Sequence, residues 1–263
     1  MGSLKSFLIP PIPTYIGEEI WSFSVLESGF EKAKELIELF PKSAHGRVLI
    51  AGEILQAKGR FQRQWFAPKG GLWCVITLYD ELFPENYGLL SILVGLALAR
   101  TVKDLGISEV YIKWINDLHY RGKKLAGVLI QKYLDWFLIG IGLNVNNPLP
   151  KGLPAVNLKT LLGKELPLCK ILEILLFWLN YYYKLLWEYE KESLEVINFK
   201  NPLIYDLKIY SDTLGKCIFY NYNIDRLEEG IFGKAIDFTE KGALIIHTDS
   251  GFIEVASGEI LYL

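Results

Sequence analysis

A basic, glycine-containing stretch at residues 56–73, QAKGRFQRQWFAPKGGLW, has the residue types that bind anions. Positions 54–79 contain no acidic residue and four basic ones: Lys58, Arg60, Arg63 and Lys69. Arginine presents a planar fork that matches carboxylate and phosphate oxygens, and glycine lets backbone N–H groups come close to an anion. The stretch is therefore predicted to form an anion site. A solvated basic loop is the alternative, because runs of charge usually lie on solvated surfaces.

A second basic stretch lies at residues 111–132, where five basic residues accompany a single acid, Asp117. The two stretches hold nine of the 28 Lys and Arg residues but only one of the 30 Asp and Glu residues. The remainder of the chain is therefore acidic, although the formal net charge is only −2. If the fold brings the two stretches together, they form a focused site for an anionic substrate.

A third motif, GIGLNVN at 140–146, is similar to a dinucleotide fingerprint but lacks its context. Pro148 and Pro150 follow it, whereas the fingerprint requires a helix at that point. The phosphate-loop pattern GxxxxGK[ST] is absent from the sequence. Three cysteines and three histidines are scattered along the chain, which favours neither a disulfide framework nor a zinc site. A reducing, cytoplasmic location is predicted.

The overall composition indicates a globular protein with one large domain, or a large and a small one. The 263 residues are 51% hydrophobic and 14% aromatic. The small net charge gives no reason to expect nucleic-acid binding. The apolar stretch at 89–99 is too short to cross a membrane, and the one at 171–187 carries polar residues. Both are therefore interpreted as core helices, and no membrane association is expected.

Hydrophobic spacing divides the chain into two parts, with a boundary predicted near residue 205. Helices are predicted at 29–40, with Ser28 as the N-cap, and at 87–105, 157–162 and 168–197. Strands are predicted at 47–53, 72–79, 109–115, 118–133 (as a hairpin) and 136–146. Beyond the boundary, six short strands indicate a small β-barrel: LKIYS, KCIFYN, IFGKAIDFT, ALIIHT, FIEVA and ILYL.

Four motifs, in order, resemble those of the biotin protein ligases: AKGRFQRQW (57–65), KWIND (113–117), KLAG (124–127) and GIGLN (140–144). The C-terminal part, which includes GEI at 258–260, is similar to that family's SH3-like domain. The resemblance implies an α+β fold, with a mixed β-sheet and helices on one side as in class II synthetases. It implies a catalytic domain at 1–205 and an SH3-like β-barrel at 206–263. Few residues precede the catalytic part, so the form without a DNA-binding domain is expected.

The resemblance also implies a two-step reaction that uses ATP with Mg²⁺. Biotin is activated as biotinyl-5′-AMP and is then transferred to a lysine of a biotin carboxyl carrier protein. The first step joins two anions, so it requires cations that offset their repulsion. The residues implied in catalysis are Arg60, Lys124, Lys113 and Asp117. The role expected for Asp117 is to orient or deprotonate the acceptor lysine.

The resemblance implies further residues in binding biotin and ATP. A homodimer is an open alternative, because exposed edge strands of the central sheet would allow two copies of the chain to pair. The implied binding residues are Ser28, Lys58, Gly59, Arg63, Trp65, Gly71, Trp73, Asn116, Gly127, Gly142 and Asn144. Of these, Asn144 is also the candidate for contact with Mg²⁺. The tryptophans offer apolar walls for the biotin ring or for adenine.

Several positions depart from the family pattern on the side expected to bind the biotin head. Gly29 and Phe30 follow Ser28 where the family has a Ser-Thr-Asn-like triplet, and Ile54 stands where it has glutamine. A pocket built for hydrogen bonds loses affinity when its polar groups are missing. Two alternatives therefore stay open: a lipoate-type or other acyl-adenylate ligase, and a non-catalytic protein that binds biotin or its adenylate.

Overall fold

A computed structural model describes residues 15–197, 199–225 and 230–263 of the chain. The strands are β1 (Ile20–Phe23), β2 (Arg47–Ala51), β3 (Leu72–Tyr79), β4 (Val110–Lys113), β5 (Asp117–Tyr120), β6 (Lys123–Tyr133), β7 (Trp136–Leu143), β8 (Cys217–Asn221), β9 (Ile231–Phe238), β10 (Leu244–Thr248), β11 (Gly251–Val255) and β12 (Glu259–Tyr262). The helices are α1 (Gly29–Leu39), α2 (Tyr87–Asp104), α3 (Leu158–Leu162), α4 (Leu168–Glu195) and α5 (Pro202–Tyr210).

A seven-stranded mixed sheet forms the centre of the larger part, in the order β1-β2-β3-β7-β6-β5-β4. The pair β1 and β2 is parallel, and the other neighbours are antiparallel. The hairpin predicted around Arg121 and Gly122 is confirmed, and both residues adopt positive φ (46° and 76°). Such backbone geometry is typical of two-residue turns that match the twist of the strands. The predicted α+β class with a mixed sheet is confirmed.

Two layers of helix cover one face of the central sheet. Helix α2 packs on β4, β5 and β6, and α4 and α5 pack on α2. Twelve of the 18 residues of α2 are buried, which explains why its sequence is apolar on all sides. Side chains that point to this face of β3 and β7, such as Ile76 and Ile139, join one large core with the three helices. No helix among the described residues is long and apolar enough to span a membrane.

Of the helices in the described part of the chain, α1 alone packs on the opposite face of the sheet, over β2, β3 and β7. Ala33, Leu36 and Ile37 of α1 form a smaller core there with alternate residues of those strands. The large helices therefore lie on one side as predicted, whereas α1 lies on the other. The predicted N-cap is confirmed, since Ser28 Oγ accepts a hydrogen bond from Glu31 N (3.4 Å). Because α1 covers only part of this face, the remainder is open for a binding site.

A second, five-stranded antiparallel sheet in the order β11-β10-β9-β8-β12 follows in the C-terminal part, consistent with an SH3-like domain. The segment LKIYS, predicted as a strand, is instead the end of helix α5. Asn201 Oδ1 caps this helix by accepting from Leu203 N (2.9 Å), and Pro202 occupies its first turn. The boundary predicted near residue 205 falls inside α5, and the second sheet begins only at Cys217.

Candidate active site

The motifs converge on one row of residues that crosses five strands of the central sheet. Neighbours in the row are direct partners in the strand pairing: Trp73, Gly142, Gly127, Asp117 and Lys113. Side chains that stand opposite one another in adjacent strands project to the same face. Motifs that are far apart in the sequence thus place their residues side by side on the open face of the sheet.

A cavity of about 690 Å³ lies over this row, between the sheet and the N-terminus of α1. Its third side is the loop between β2 and β3 (residues 52–71), which contains most of the first basic stretch and is called the basic loop below. Thirteen of the fifteen predicted site residues line it: Ser28, Lys58, Gly59, Arg60, Arg63, Trp65, Trp73, Asn116, Asp117, Lys124, Gly127, Gly142 and Asn144. A volume of this size is typical of sites for small molecules and cofactors. The prediction that the fold brings the two basic stretches together is consistent with this arrangement.

Glycines on β6 and β7 form the floor of the cavity, because aromatic rings lie directly on them. A Cβ atom at Gly142 would lie 2.8 Å from Cε2 of Trp65, and one at Gly140 would lie 2.6 Å from Cζ of Phe30. A side chain at either position would therefore push a ring off the sheet. Gly127, next to Gly142, also lies under the Trp65 indole.

Two tryptophans form the wall at the row. Trp65 and Trp73 meet edge to face, with ring centroids 6.4 Å apart. The indole N–H of Trp73 donates to the carbonyl oxygen of Pro68 (2.8 Å), whereas Nε1 of Trp65 is buried with no hydrogen-bond partner in the described structure. Gly71 does not line the cavity, but a Cβ there would collide with the Trp73 indole. Its role is therefore to support Trp73.

A β-bulge directs Lys124 into the cavity. Asp117 pairs with Gly127 and Leu118 with Ala126, but His119 then pairs with Lys124, so that Leu125 is the extra residue of β6. Without this shift, Lys124 would project to the opposite face of the sheet. Instead its Nζ lies 2.6 Å from Oδ1 of Asp117 and 5.1 Å from the centroid of the Trp65 ring.

The carboxylate of Asp117 is held in its ionised form. Burial alone would raise its pKa, but the charge of Lys124, followed by the contacts with His119 and Lys124, outweighs burial and lowers the pKa well below its usual value. A carboxylate with so low a pKa holds a proton weakly. Asp117 is therefore suited to orienting a cation, such as an amine in its ammonium form.

Lys113 belongs to the row but lies outside the cavity wall. It is the last residue of β4, at the edge of the sheet, and its Nζ lies 5.2 Å from the ring centroid of Tyr262 in the second sheet. Burial lowers the pKa of Lys113, with the nearby charge of Asp117 opposing this. The structure thus places this predicted catalytic residue between the two sheets, and its part in the chemistry stays a prediction.

Both arginines of the basic loop are bound to the C-terminal part. Arg60 Nη1 donates to the carbonyl oxygen of Gly258 (2.6 Å). Arg63 donates through Nη1 and Nη2 to the two carboxylate oxygens of Glu259 (2.6 and 2.8 Å), and through Nε to Asp225 (2.9 Å). The hydrogen bond to Glu259 is the main reason why the pKa of Arg63 is raised. These bonds hold the loop across the mouth of the cavity.

Glu259 also lines the cavity, and sequence reasoning did not select it as a site residue. The signal was present in the GEI segment at 258–260, which carried the resemblance of the C-terminal part. Burial alone would raise the pKa of Glu259, but the hydrogen bond from Arg63 outweighs it and lowers the pKa. The second sheet therefore contributes to the site directly.

Two asparagines at the polar end of the cavity are already held by protein groups. Asn116 Nδ2 donates to the carbonyl oxygen of Val128 (2.8 Å), and Asn144 Oδ1 accepts from Asn147 Nδ2 (3.1 Å). The described residues contain no group of three or more His, Cys, Asp or Glu side chains that could hold a metal ion. The contact of Asn144 with Mg²⁺ therefore stays a prediction.

The other end of the cavity, beneath α1, has an apolar surface formed by Phe30, Ile54 and Val75. Polar side chains also line the cavity there: Ser28, Glu31, Lys34, Gln56 and Gln131. A Cβ at Gly29 would lie 2.9 Å from Cγ2 of Val75, so the N-terminus of α1 rests directly on the sheet. The cavity thus has a cationic end at Lys124 and Arg60 and an apolar arm, which suits an acid with a bulky apolar tail.

Residues 42–146 match the sequence model of the Biotin/lipoate A/B protein ligase family. The matched range contains all four motifs, so the resemblance predicted from them is confirmed. Two relatives match over most of their length. The chain is 23% identical over 256 residues to the bifunctional ligase/repressor BirA of Bacillus subtilis, covering 93% of this chain and 74% of that protein. It is 26% identical over 227 residues to the biotin–[acetyl-CoA-carboxylase] ligase of Mycobacterium tuberculosis, covering 83% and 79%.

The fold is shared with a solved structure, the biotin protein ligase from Aquifex aeolicus in complex with biotin and ATP. The TM-score is 0.79 at 24% sequence identity, and the match covers 94% of this chain and 99% of that one. With this coverage, the shared fold extends over both the central sheet and the C-terminal sheet.

Proposed function

We infer that the chain is an ATP-dependent biotin–protein ligase, because residues 42–146 match the sequence model of the Biotin/lipoate A/B protein ligase family. It would form biotinyl-5′-AMP from biotin and ATP and transfer the biotinyl group to a lysine of a biotin carboxyl carrier protein. One observation carries the proposal. A single cavity has Lys124, Arg60 and Asp117 at one end and an apolar arm under α1 at the other.

In the first step, the carboxylate of biotin attacks the α-phosphate of ATP, and pyrophosphate leaves. The two reactants are anions, and charge builds up at phosphorus in the transition state. Lys124 supplies a fixed cation beside the row, and Arg60, with Lys58, supplies cations from the loop. The buried N–H of Trp65 has no hydrogen-bond partner within residues 15–197, 199–225 and 230–263, and is a further donor for an oxygen of the bound adenylate. Mg²⁺ accompanying ATP would neutralise part of the phosphate charge.

In the second step, the amine of the acceptor lysine attacks the carbonyl carbon of the mixed anhydride, and AMP leaves. Asp117 is the carboxylate at the cationic end of the cavity that can orient the incoming ammonium group. Its ion pair with Lys124 must then be shared or exchanged with the acceptor lysine. Whether two copies of the chain act together stays a prediction.

A lipoate-type acid is the second candidate substrate, favoured by the apolar arm. The side chains of Phe30 and Ile54 offer no hydrogen bonds there for a polar ring system. A ureido group that finds no partner loses much of its binding energy. The same assay separates the two acids when biotin and lipoate are supplied in parallel.

The test is labelling of a biotin carboxyl carrier domain by the purified chain with ATP, Mg²⁺ and biotin, detected with streptavidin. A carrier whose acceptor lysine is replaced by arginine is the control. ATP-dependent labelling of the intact carrier alone is expected. No labelling with biotin, together with modification by lipoate detected by mass spectrometry, would replace biotin as the substrate. Tight binding of biotinyl-AMP without any labelling would identify a binding protein instead.

A further inference from the structure

His119 lies next to the Asp117 carboxylate, two residues further along β5. Its Nε2 is buried, lacks a hydrogen-bond partner among the described residues, and lies 3.8 Å from Oδ2 of Asp117. The other carboxylate oxygen, Oδ1, faces Lys124 at 2.6 Å. The carboxylate is thus placed between an ammonium group on one side and an imidazole on the other. A buried polar nitrogen without a partner requires an explanation.

The strand register and the bulge together place His119, Asp117 and Lys124 next to one another. His119 follows Asp117 by two residues in β5, so the two side chains share a face. The extra residue Leu125 then places Lys124 directly opposite His119. His119 does not line the cavity, and only 15% of its side chain is exposed. Any effect on a substrate must therefore pass through Asp117.

The proposed transfer step requires a proton acceptor, and Asp117 alone is a weak one. An amine attacks only in its neutral form, so the acceptor lysine must lose a proton before it reacts. General bases work best when their pKa is close to the working pH, and the pKa of Asp117 is held far below neutral. Histidine is the side chain whose ordinary titration range spans neutral pH.

We propose that His119 is a positioning residue for Asp117 and receives, through it, the proton of the acceptor lysine. The acceptor ammonium gives one proton to the ionised carboxylate of Asp117, and that same proton passes on to Nε2 of His119, so that Asp117 ends ionised and the imidazole ends as imidazolium. The nitrogen lone pair then forms the amide bond, and the C–O bond to AMP breaks with its electron pair on AMP. The second N–H proton leaves with the phosphate of AMP. The inference rests on the proposed ligase function.

The charges around His119 predict how the step depends on pH. The titratable groups that face it are Asp117 on its own strand, Lys124 on β6, and Tyr111 and Lys113 on β4. An imidazole that already carries two protons cannot accept another. Asp117 is then paired with two cations and holds a proton still more weakly. Transfer should therefore slow at acid pH, whereas adenylate formation, which needs no such base, should not.

The test compares wild type with His119→Gln, which keeps a polar side chain of similar length but does not titrate. Single-turnover transfer from preformed biotinyl-AMP to the carrier domain is measured from pH 5.5 to 9, and biotin-dependent ATP–pyrophosphate exchange is measured over the same range. His247→Gln, at an exposed histidine of the second sheet, is the matched control. We expect His119→Gln to slow transfer about 10-fold at neutral pH, less than the ~10²–10⁴ of a base that touches its substrate, and to flatten the acid limb.

The outcomes separate this proposal from the proposed function. If the wild-type chain labels the carrier and His119→Gln shows the same pH profile of transfer, the role of His119 is overturned. The proposed function then stands. Equal losses of transfer and of exchange in His119→Gln also overturn it, because they indicate a structural effect on Lys124. Wild-type chain that neither exchanges nor labels overturns the proposed function and this inference with it. A flattened acid limb of transfer with exchange unchanged supports the proposal.

Discussion

Replacing Glu259 with glutamine tests whether the C-terminal sheet holds the basic loop closed. The two oxygens of Glu259 accept hydrogen bonds from Nη1 and Nη2 of Arg63 (2.6 and 2.8 Å). Glu259→Gln keeps the shape of the side chain but removes its charge and one of the two acceptor oxygens. The loop should then open more often. Since Arg60 depends on the same loop, the chain should bind ATP more weakly.

The size of the effect follows from the exposure of the pair. The side chain of Glu259 is 17% exposed and that of Arg63 is 37% exposed, so water screens part of the attraction. A bidentate pair of this kind contributes about 1 kcal/mol after that discount. This corresponds to roughly a fivefold rise in the KM for ATP, because 1.4 kcal/mol is a factor of ten.

The assay is the KM for ATP in pyrophosphate exchange for wild type, Glu259→Gln, Arg63→Gln and the double variant. The two substitutions are expected to be coupled. The KM for ATP of the double variant should therefore lie within about twofold of the higher KM of the two single variants. Glu254→Gln, on the exposed side of β11, is the control and should match wild type. Fully additive losses would refute the pairing. A lower KM in Glu259→Gln would show that Glu259 competes with substrate for Arg63.

The ion pair between Arg63 and Glu259 makes the free energy of unfolding depend on pH. The pKa of Glu259 in the folded chain is lowered from 4.5, with the bonds from Arg63 outweighing burial. Its contribution to the free energy of unfolding is therefore present above about pH 4.5 and is lost as the pH falls through the lowered value. Glu259→Gln should remove this part of the acid destabilisation in urea unfolding.

Three further outcomes follow from the geometry of the cavity. Lys124→Ala should reduce biotin-dependent exchange by at least about 100-fold with an unchanged circular dichroism spectrum; near wild-type exchange would refute the role of the ammonium group. Gly142→Ala should displace the Trp65 indole, lower the stability by about 1–2 kcal/mol and raise KM; unchanged Trp fluorescence and KM would refute the packing. Burial raises the pKa of Cys74 to about 12, so iodoacetamide at pH 8 should modify the two exposed cysteines of the native chain and leave Cys74 intact.

Much of the site could be predicted from the sequence because each motif lies at the end of a strand or in a loop between strands. The basic loop joins β2 to β3, which are antiparallel neighbours, so its ends are fixed close to the sheet. Lys124 and Asp117 were each predicted as catalytic residues from the motifs that contain them. The structure adds that the two are in contact, because the bulge at Leu125 brings Lys124 to the face of the sheet that carries Asp117. A bulge of one residue leaves no pattern that a single sequence reveals.

The errors have equally local causes. Residues 207–211, LKIYS, alternate apolar and polar side chains as a strand does, and the preceding dipeptide Asn201-Pro202 is typical of a turn or loop. In the structure the same two residues start helix α5, because asparagine caps a helix and proline fits its first turn. The contact of Glu259 with Arg63 joins residues 196 positions apart. Such a pairing depends on how the second sheet docks, which spacing along the chain does not encode.

Biotin-dependent exchange of labelled pyrophosphate into ATP is the measurement that tests the central claim most directly. The reaction requires only the cavity, biotin, ATP and Mg²⁺, and it is independent of the carrier protein. The cationic row and the apolar arm predict exchange that rises with biotin and is abolished in Lys124→Ala. Absence of exchange with biotin and with lipoate, in a chain shown to be folded, would contradict the assignment of this cavity to acyl-adenylate formation.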